Sequence, residues 1–190
     1  MLILVFQKEK RKVDVSFNQL IDLNFLPSFP KIKVLKALYN KITNLDGIES
    51  CEQLEECNLI GNSLVEVDKL VYCKKLHTLS LDGNKIDLFP SMTNLKNLVH
   101  LTIENNCLTN FEGICGLENL QSLSIARNNI EKLTTLGKCR FRTSLTELDM
   151  SNNNIYSADF ACLQMFEKLE VSRVFIYANP SDFENESLWI

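Results

Sequence analysis

The apolar and polar positions along this chain repeat as one frame with a step of 22 residues. Asn18, Asn40, Asn62, Asn84, Asn106 and Asn128 stand at that constant step, and Asn153 and Asn179 continue the series at steps of 25 and 26. Around each Asn the same apolar landmarks recur. Two examples are Leu76-His-Thr-Leu79-Ser-Leu81-Asp-Gly-Asn84-Lys-Ile86 and Leu120-Gln-Ser-Leu123-Ser-Ile125-Ala-Arg-Asn128-Asn-Ile130. Numbered from the first landmark, eight units begin at Lys10, Ile32, Leu54, Leu76, Leu98, Leu120, Leu145 and Val171. After position 11 the apolar residues fall every three positions, as Phe89, Met92 and Leu95 do in the fourth unit.

The spacing predicts the shape of each unit. Positions 4 and 6 alternate as in a short strand, so their side chains share one face. The three-residue step at 11, 14, 17 and 20 suits an extended or 3₁₀ return path, on which like positions eclipse. Each unit is therefore one coil of a solenoid, and stacking coils lays the strands side by side about 4.8 Å apart. Each coil buries its leucines only against its neighbours. The Asn at position 9 sits where the chain turns inward, and its amide can satisfy backbone groups of its own and the adjacent coil. Strands on one side and a mostly extended or 3₁₀ return on the other predict an α/β solenoid of about eight repeats, a right-handed superhelix with a parallel concave sheet.

Composition fits this frame. The chain has 190 residues, 45% hydrophobic and 23% charged, with 30 Leu and 20 Asn, the two types the repeat needs. Its seven cysteines include no C-x-x-C pair and no histidine at zinc-ligand spacing, which argues against a disulfide framework and a metal site and for a reducing, intracellular compartment. Cys57 at position 4, and Cys51, Cys73 and Cys139 at position 20, read as small core residues, whereas Cys107, Cys115 and Cys162 fall off the frame. The short apolar start Met1–Phe6 precedes the charged stretch Lys8–Lys12, the reverse of a secretory signal, and no run approaches the length of a membrane span.

The ends are less regular. Residues 1–9 read as a partial coil or cap, residues 10–181 as the array, and residues 182–190 as a tail or partial cap. Lys10 stands on a landmark that is otherwise apolar, as suits a coil meeting water. So short a C-terminal segment predicts either a fragment of a longer chain or a minimal cap built on Phe183, Leu188 and Trp189.

On these residues the chain resembles the 22-residue class of leucine-rich repeats over residues 10–181. Members of that class include the leucine-rich regulatory subunit of protein phosphatase 1, the leucine-rich light chain of axonemal dynein and other ciliary and tubulin-associated proteins. The enlarged seventh unit from Leu145 to Val171, followed by Asn179-Pro180, resembles the C-terminal units of the dynein light chain type. The resemblance implies a non-enzymatic scaffold that binds a partner protein on its concave face, with a ciliary or cytoskeletal setting. The alternatives are a regulatory subunit of a protein phosphatase and the repeat region of a longer multidomain protein. The cysteine clusters that flank extracellular members of the class are missing from the sequence.

Function then falls to the variable positions 2, 3, 5, 7 and 8, expected to face outward from the sheet. Phe17, Val34, Leu38, Tyr39 and Ile60 form an apolar set across three successive coils, bordered by Lys33 and Lys36 on one side and by Glu55 and Glu56 on the other. Apolar anchors ringed by charge suit a protein-binding hot spot. The competing reading packs them beneath residues 1–9 as a terminal cap. His77, Asp82, His100, Glu104, Phe175 and Tyr177 complete the predicted partner-binding face. His77 and His100 come from neighbouring coils but have no third metal ligand and no nucleophile motif beside them. No catalytic, cofactor or metal site is expected. Residues 1–50 carry eight Lys and Arg against five Asp and Glu, and residues 51–190 twelve against nineteen, so the array is acidic beyond its first two coils. This argues against nucleic acid as a partner. A protein partner, no membrane and a monomeric state are the expectation.

Overall fold

The structure is a computed structural model that describes residues 10–155, 157–170 and 174–175; side chains are described for all of these except 157–160 and 174–175. The expected caps at 1–9 and 182–190, and Asn179, lie outside the described residues.

Among the described residues eight strands form one parallel sheet in sequence order: β1 (Lys12–Asp14), β2 (Val34–Lys36), β3 (Glu56–Asn58), β4 (Thr78–Ser80), β5 (His100–Thr102), β6 (Ser122–Ser124), β7 (Glu147–Asp149) and β8 (Val174–Phe175). Every strand falls within positions 3–5 of its unit, and register is kept from coil to coil: Leu35 pairs with Cys57, Cys57 with Leu79, Leu79 with Leu101. Most return paths carry a 3₁₀ turn, such as Leu26–Ser28, Ile48–Ser50 and Ile114–Gly116, whereas the fourth coil returns without one and the seventh carries the longer Ser157–Met165. Three-residue periodicity favours this conformation, because like positions eclipse and all point inward.

The landmarks are the core. In the fourth coil Leu76, Leu79, Leu81, Ile86, Phe89, Met92 and Leu95 are all buried, and the same columns are buried in the coils on either side. The solvent face of the sheet is built from positions 3 and 5, exposed or half-buried in β1 to β5 and in β7.

The position-9 Asn side chains join the coils. Asn84 Nδ2 donates to the carbonyl oxygen of Leu59 in the preceding coil at 3.1 Å and to that of Leu81 in its own at 2.8 Å. Its Oδ1 accepts from the Leu64 amide of the preceding coil at 3.0 Å. Asn40, Asn62, Asn106, Asn128 and Asn153 likewise donate to the position-6 carbonyl of the coil before, namely Val15, Ala37, Leu81, Ile103 and Ile125. All six are buried. Asn18 has no described coil before it; among the described residues it bonds Val15 and Ser16 of its own coil, and it is exposed.

The larger step after the sixth coil is taken up by a second 3₁₀ turn, Arg140–Thr143. Phe141 is buried there beside Phe166, with ring centroids 6.2 Å apart. The Ser144 hydroxyl ties the insertion back by donating to the Leu120 carbonyl at 2.7 Å.

One cysteine expectation is corrected. Cys115 and Cys139 are joined as a disulfide, with Cα atoms 4.1 Å apart across a sequence separation of 24. Stacking sets position 18 of one coil beside position 20 of the next, a proximity that cysteine spacing alone does not reveal. Cys51, Cys57 and Cys73 are buried free thiols. Burial pushes Cys51 up to about 11 and Cys73 up to about 12, so both stay protonated and packed.

Two outcomes follow. Asn84→Ala strips the buried Leu64 amide of its acceptor and removes one of two donors from each of the Leu59 and Leu81 carbonyls, which keep Asn62 and Asn106; it is expected to cost about 1–3 kcal/mol in urea unfolding, while Asn18→Ala costs under about 1 kcal/mol. Alkylation of denatured, unreduced protein followed by intact mass measurement should modify five thiols, and seven after reduction.

Candidate functional site

Position 7 and position 8 close the solvent face of the sheet where the chain leaves each strand. Beyond the strands, a second hydrogen-bond ladder continues from coil to coil. The Phe17 amide donates to Leu38 O, Tyr39 to Ile60 O, Gly61 to Asp82 O and Gly83 to Glu104 O, each at 2.8 Å. Asn105 and Arg127 continue the ladder at 3.0 and 2.9 Å. To turn inward toward the Asn at position 9 while keeping this bond, position 8 adopts the left-handed conformation. The φ values there are 58° at Phe17, 50° at Tyr39, 68° at Gly61, 64° at Gly83, 51° at Asn105, 55° at Arg127 and 55° at Asn152.

Gly and Asn accept that conformation readily, whereas a bulky side chain pays about 1–2 kcal/mol for it. Phe17 and Tyr39 are bulky, and they are also exposed, by 76% and 53%. Their rings stack with centroids 5.2 Å apart and planes 25° from parallel. The Tyr39 ring then covers the backbone of Gly61: a Cβ added at Gly61 would lie 2.5 Å from Tyr39 Cδ1. Sequence reasoning placed these aromatics on the outward face but missed the backbone requirement. The signal was present in column 8, which reads Phe, Tyr, Gly, Gly, Asn, Arg, Asn, Ala.

The other predicted residues take these places. Val34, Lys36, Leu38 and Ile60 are half-buried in the first three coils, and Glu56 is exposed. Lys33 and Glu55 occupy position 2 of adjacent coils and form an ion pair at 2.5 Å. That bond holds the Glu55 carboxyl below its ordinary range. These two charges therefore neutralise each other instead of bordering the apolar set from opposite sides. His77, just before β4, and His100, the first residue of β5, are both exposed, with the His100 amide donating to His77 O at 3.0 Å. Among the described residues no three His, Cys, Asp or Glu side chains gather as metal ligands. Phe175 lies in β8, at the far end of the sheet from Phe17 and Tyr39, and Tyr177 lies outside the described residues.

Asp82 and Glu104 extend the position-7 row beyond Leu38 and Ile60. Asp82 accepts from the Thr102 hydroxyl at 3.0 Å and from the Glu104 amide at 2.8 Å, and Glu104 accepts from the Ser124 hydroxyl at 2.8 Å. Burial raises the Asp82 carboxyl above its ordinary value, and the neighbouring Glu104 charge adds to the rise against the two hydrogen bonds. No Lys or Arg pairs with either acid among the described residues. The position-7 row thus passes from aliphatic to anionic, with the aromatic pair of position 8 beside its aliphatic end.

Because its pKa is raised by folding, Asp82 penalises the folded state as pH climbs through that value. Asp82→Asn, with the Thr102 hydroxyl turning to accept from the new amide, is expected to melt higher than the parent at pH 7. The gain should vanish below the ordinary carboxylate value of 3.8. Thermal melts across that range check the sign.

A family model described as Leucine Rich Repeat matches residues 144–166. Among solved structures the chain is similar to an internalin of Listeria monocytogenes, with a TM-score of 0.79 and 22% identity over 90% of this chain and 49% of that one. It is similar also to a leucine-rich repeat protein of Leptospira interrogans, with a TM-score of 0.72 and 25% identity over 90% of this chain and 45% of the other. A second Listeria monocytogenes internalin aligns with a TM-score of 0.63 and 20% identity over 87% of this chain and 79% of its own. The chain spans about half the length of the first two. No curated protein matches it by sequence.

Proposed function

We propose that this chain, a leucine-rich repeat protein, is a scaffold that binds a partner protein along the concave, solvent face of its sheet. The observation that carries this reading is the position-7 and position-8 rows. They set Phe17, Tyr39, Leu38 and Ile60 beside the acids Asp82 and Glu104, which no Lys or Arg among the described residues pairs, on a surface that the repeat fixes coil by coil. Such a surface offers many weak, spaced contacts and suits an extended or convex protein partner. His77, His100, Glu56 and Lys36 belong to the same face and are assigned to binding. No helix among the described residues is long and apolar enough to cross a membrane. The resemblance to the dynein light chain type favours a ciliary or cytoskeletal partner acting on a monomeric scaffold. A phosphatase catalytic subunit is the partner its rival resemblance supplies.

Affinity capture from a ciliated-cell lysate tests this. Wild-type protein and the triple variant Val65→Ser, Tyr72→Ser, Leu88→Ser, altered at exposed residues away from the sheet, should retain the same partners. Leu38→Ser, Tyr39→Ser, Ile60→Ser should lose them while melting cooperatively. The opposite pattern sinks the reading, and recovery of phosphatase without axonemal proteins replaces the ciliary assignment.

A further inference from the structure

Phe17 and Tyr39 stand where the fold works against them. Their backbone conformation is one that glycine or asparagine would adopt with less strain, as the equivalent Gly61, Gly83, Asn105 and Asn152 do. Their side chains are then left largely in water. Neither stability nor solubility accounts for two adjacent aromatics at such a position. The stack also ends abruptly, because the next coil supplies Gly61, whose lack of a side chain leaves room for the Tyr39 ring to lie flat. Beside the step, Leu38 and Ile60 widen the apolar surface, and the same row continues as Asp82 and Glu104.

The distances set the partner's chemistry. Adjacent coils are about 4.8 Å apart, so two to three coils separate Tyr39 from Asp82 and Glu104, roughly 10–14 Å. An extended chain covers that span in about three to four residues. The two carboxylates have hydroxyl and amide donors but no cation among the described residues, so their charge awaits one. Burial and the Glu104 charge already disfavour the ionised Asp82, a cost that an incoming cation relieves.

We infer that the Phe17–Tyr39 stack and the Asp82–Glu104 pair form one docking track for an extended basic segment of a partner protein, which places an aromatic or large aliphatic residue on the stack and Lys or Arg, three to four residues along, on the acids. This rests on reading the sheet as a protein-binding face and specifies what that face selects.

The probe is a display library of random 12-residue peptides selected on the immobilised full chain, followed by affinity measurement of the enriched peptides. Enrichment of an aromatic or Leu residue three to four positions from Lys or Arg is expected. Phe17→Asn, Tyr39→Asn together should weaken those peptides at least tenfold while the melting temperature stays level or rises, since Asn relieves the strained backbone. Asp82→Asn, Glu104→Gln should weaken them tenfold and flatten their salt dependence. No enrichment, enrichment of acidic or uncharged motifs, or binding by the Asn double variant within twofold of wild type each overturns the track. A fall in melting temperature with the Asn pair would overturn the strain argument beneath it. If the library fails while the Leu38, Tyr39, Ile60 triple variant still abolishes capture, the track is wrong and the protein-binding face stands. If that triple variant leaves capture intact, the face itself is wrong.

Discussion

The structure depends on a single side-chain amide placed inside the turn of each coil. A coil that turns back into its own core must bury backbone groups that no strand or helix can pair. Asn at position 9 pairs them by reaching backward. Its Nδ2 takes the position-6 carbonyl of the preceding coil and its Oδ1 takes that coil's position-11 amide, as Asn62 does with Ala37 and Ile42. No residue with only a donor or only an acceptor can do both. The landmark leucines supply the apolar area, but the amide sets the angle and register at which each coil meets the next. The parallel sheet is a consequence: with the second to seventh coils each tied to the one before at the same two points, positions 3, 5 and 7 fall into straight rows.

That fixed turn constrains the residue just before it. Position 8 must donate its amide to the next coil and yet deliver the chain inward, and the left-handed conformation meets both demands. Because the ladder on one side and the buried Asn on the other both fix the backbone, a strained residue there is held and cannot relax. The fold thus tolerates Phe17, Tyr39 and Arg127 without requiring them, and the column is free to carry side chains chosen for the surface they present.

The architecture was legible in the sequence because its determinants are local and repeated. Numbering from Lys10 through Val171 located all eight strands, and the inward-turning role assigned to Asn appears as hydrogen bonds at six positions. What the sequence hid were relations created by the offset between coils. Cys115 and Cys139 differ by two positions in the frame and meet only when the coils stack. Lys33 and Glu55 share a column and pair directly, so residues expected to ring the apolar set cancel across it. The aromatic pair was visible as an exposed cluster, but its backbone strain was not, because a column of outward-facing residues is naturally read for side chains and only secondarily for φ.

The distribution of charge follows from the same geometry. The basic excess of the first 50 residues and the acidic excess of the rest would be a diffuse dipole in a globular domain. In a solenoid each coil contributes at a fixed distance along one axis, so the polarity becomes a sequence of steps. The Lys33–Glu55 pair sits at the crossing point and removes its own charge from the surface, which leaves Lys36 on one side and the Asp82–Glu104 pair on the other, separated by apolar Leu38 and Ile60. A partner laid across these rows meets opposite signs at its two ends. A reversed orientation would set like charges against each other at both ends. The repeat that builds the core therefore also gives the face a direction, without any specialised element beyond the coils themselves.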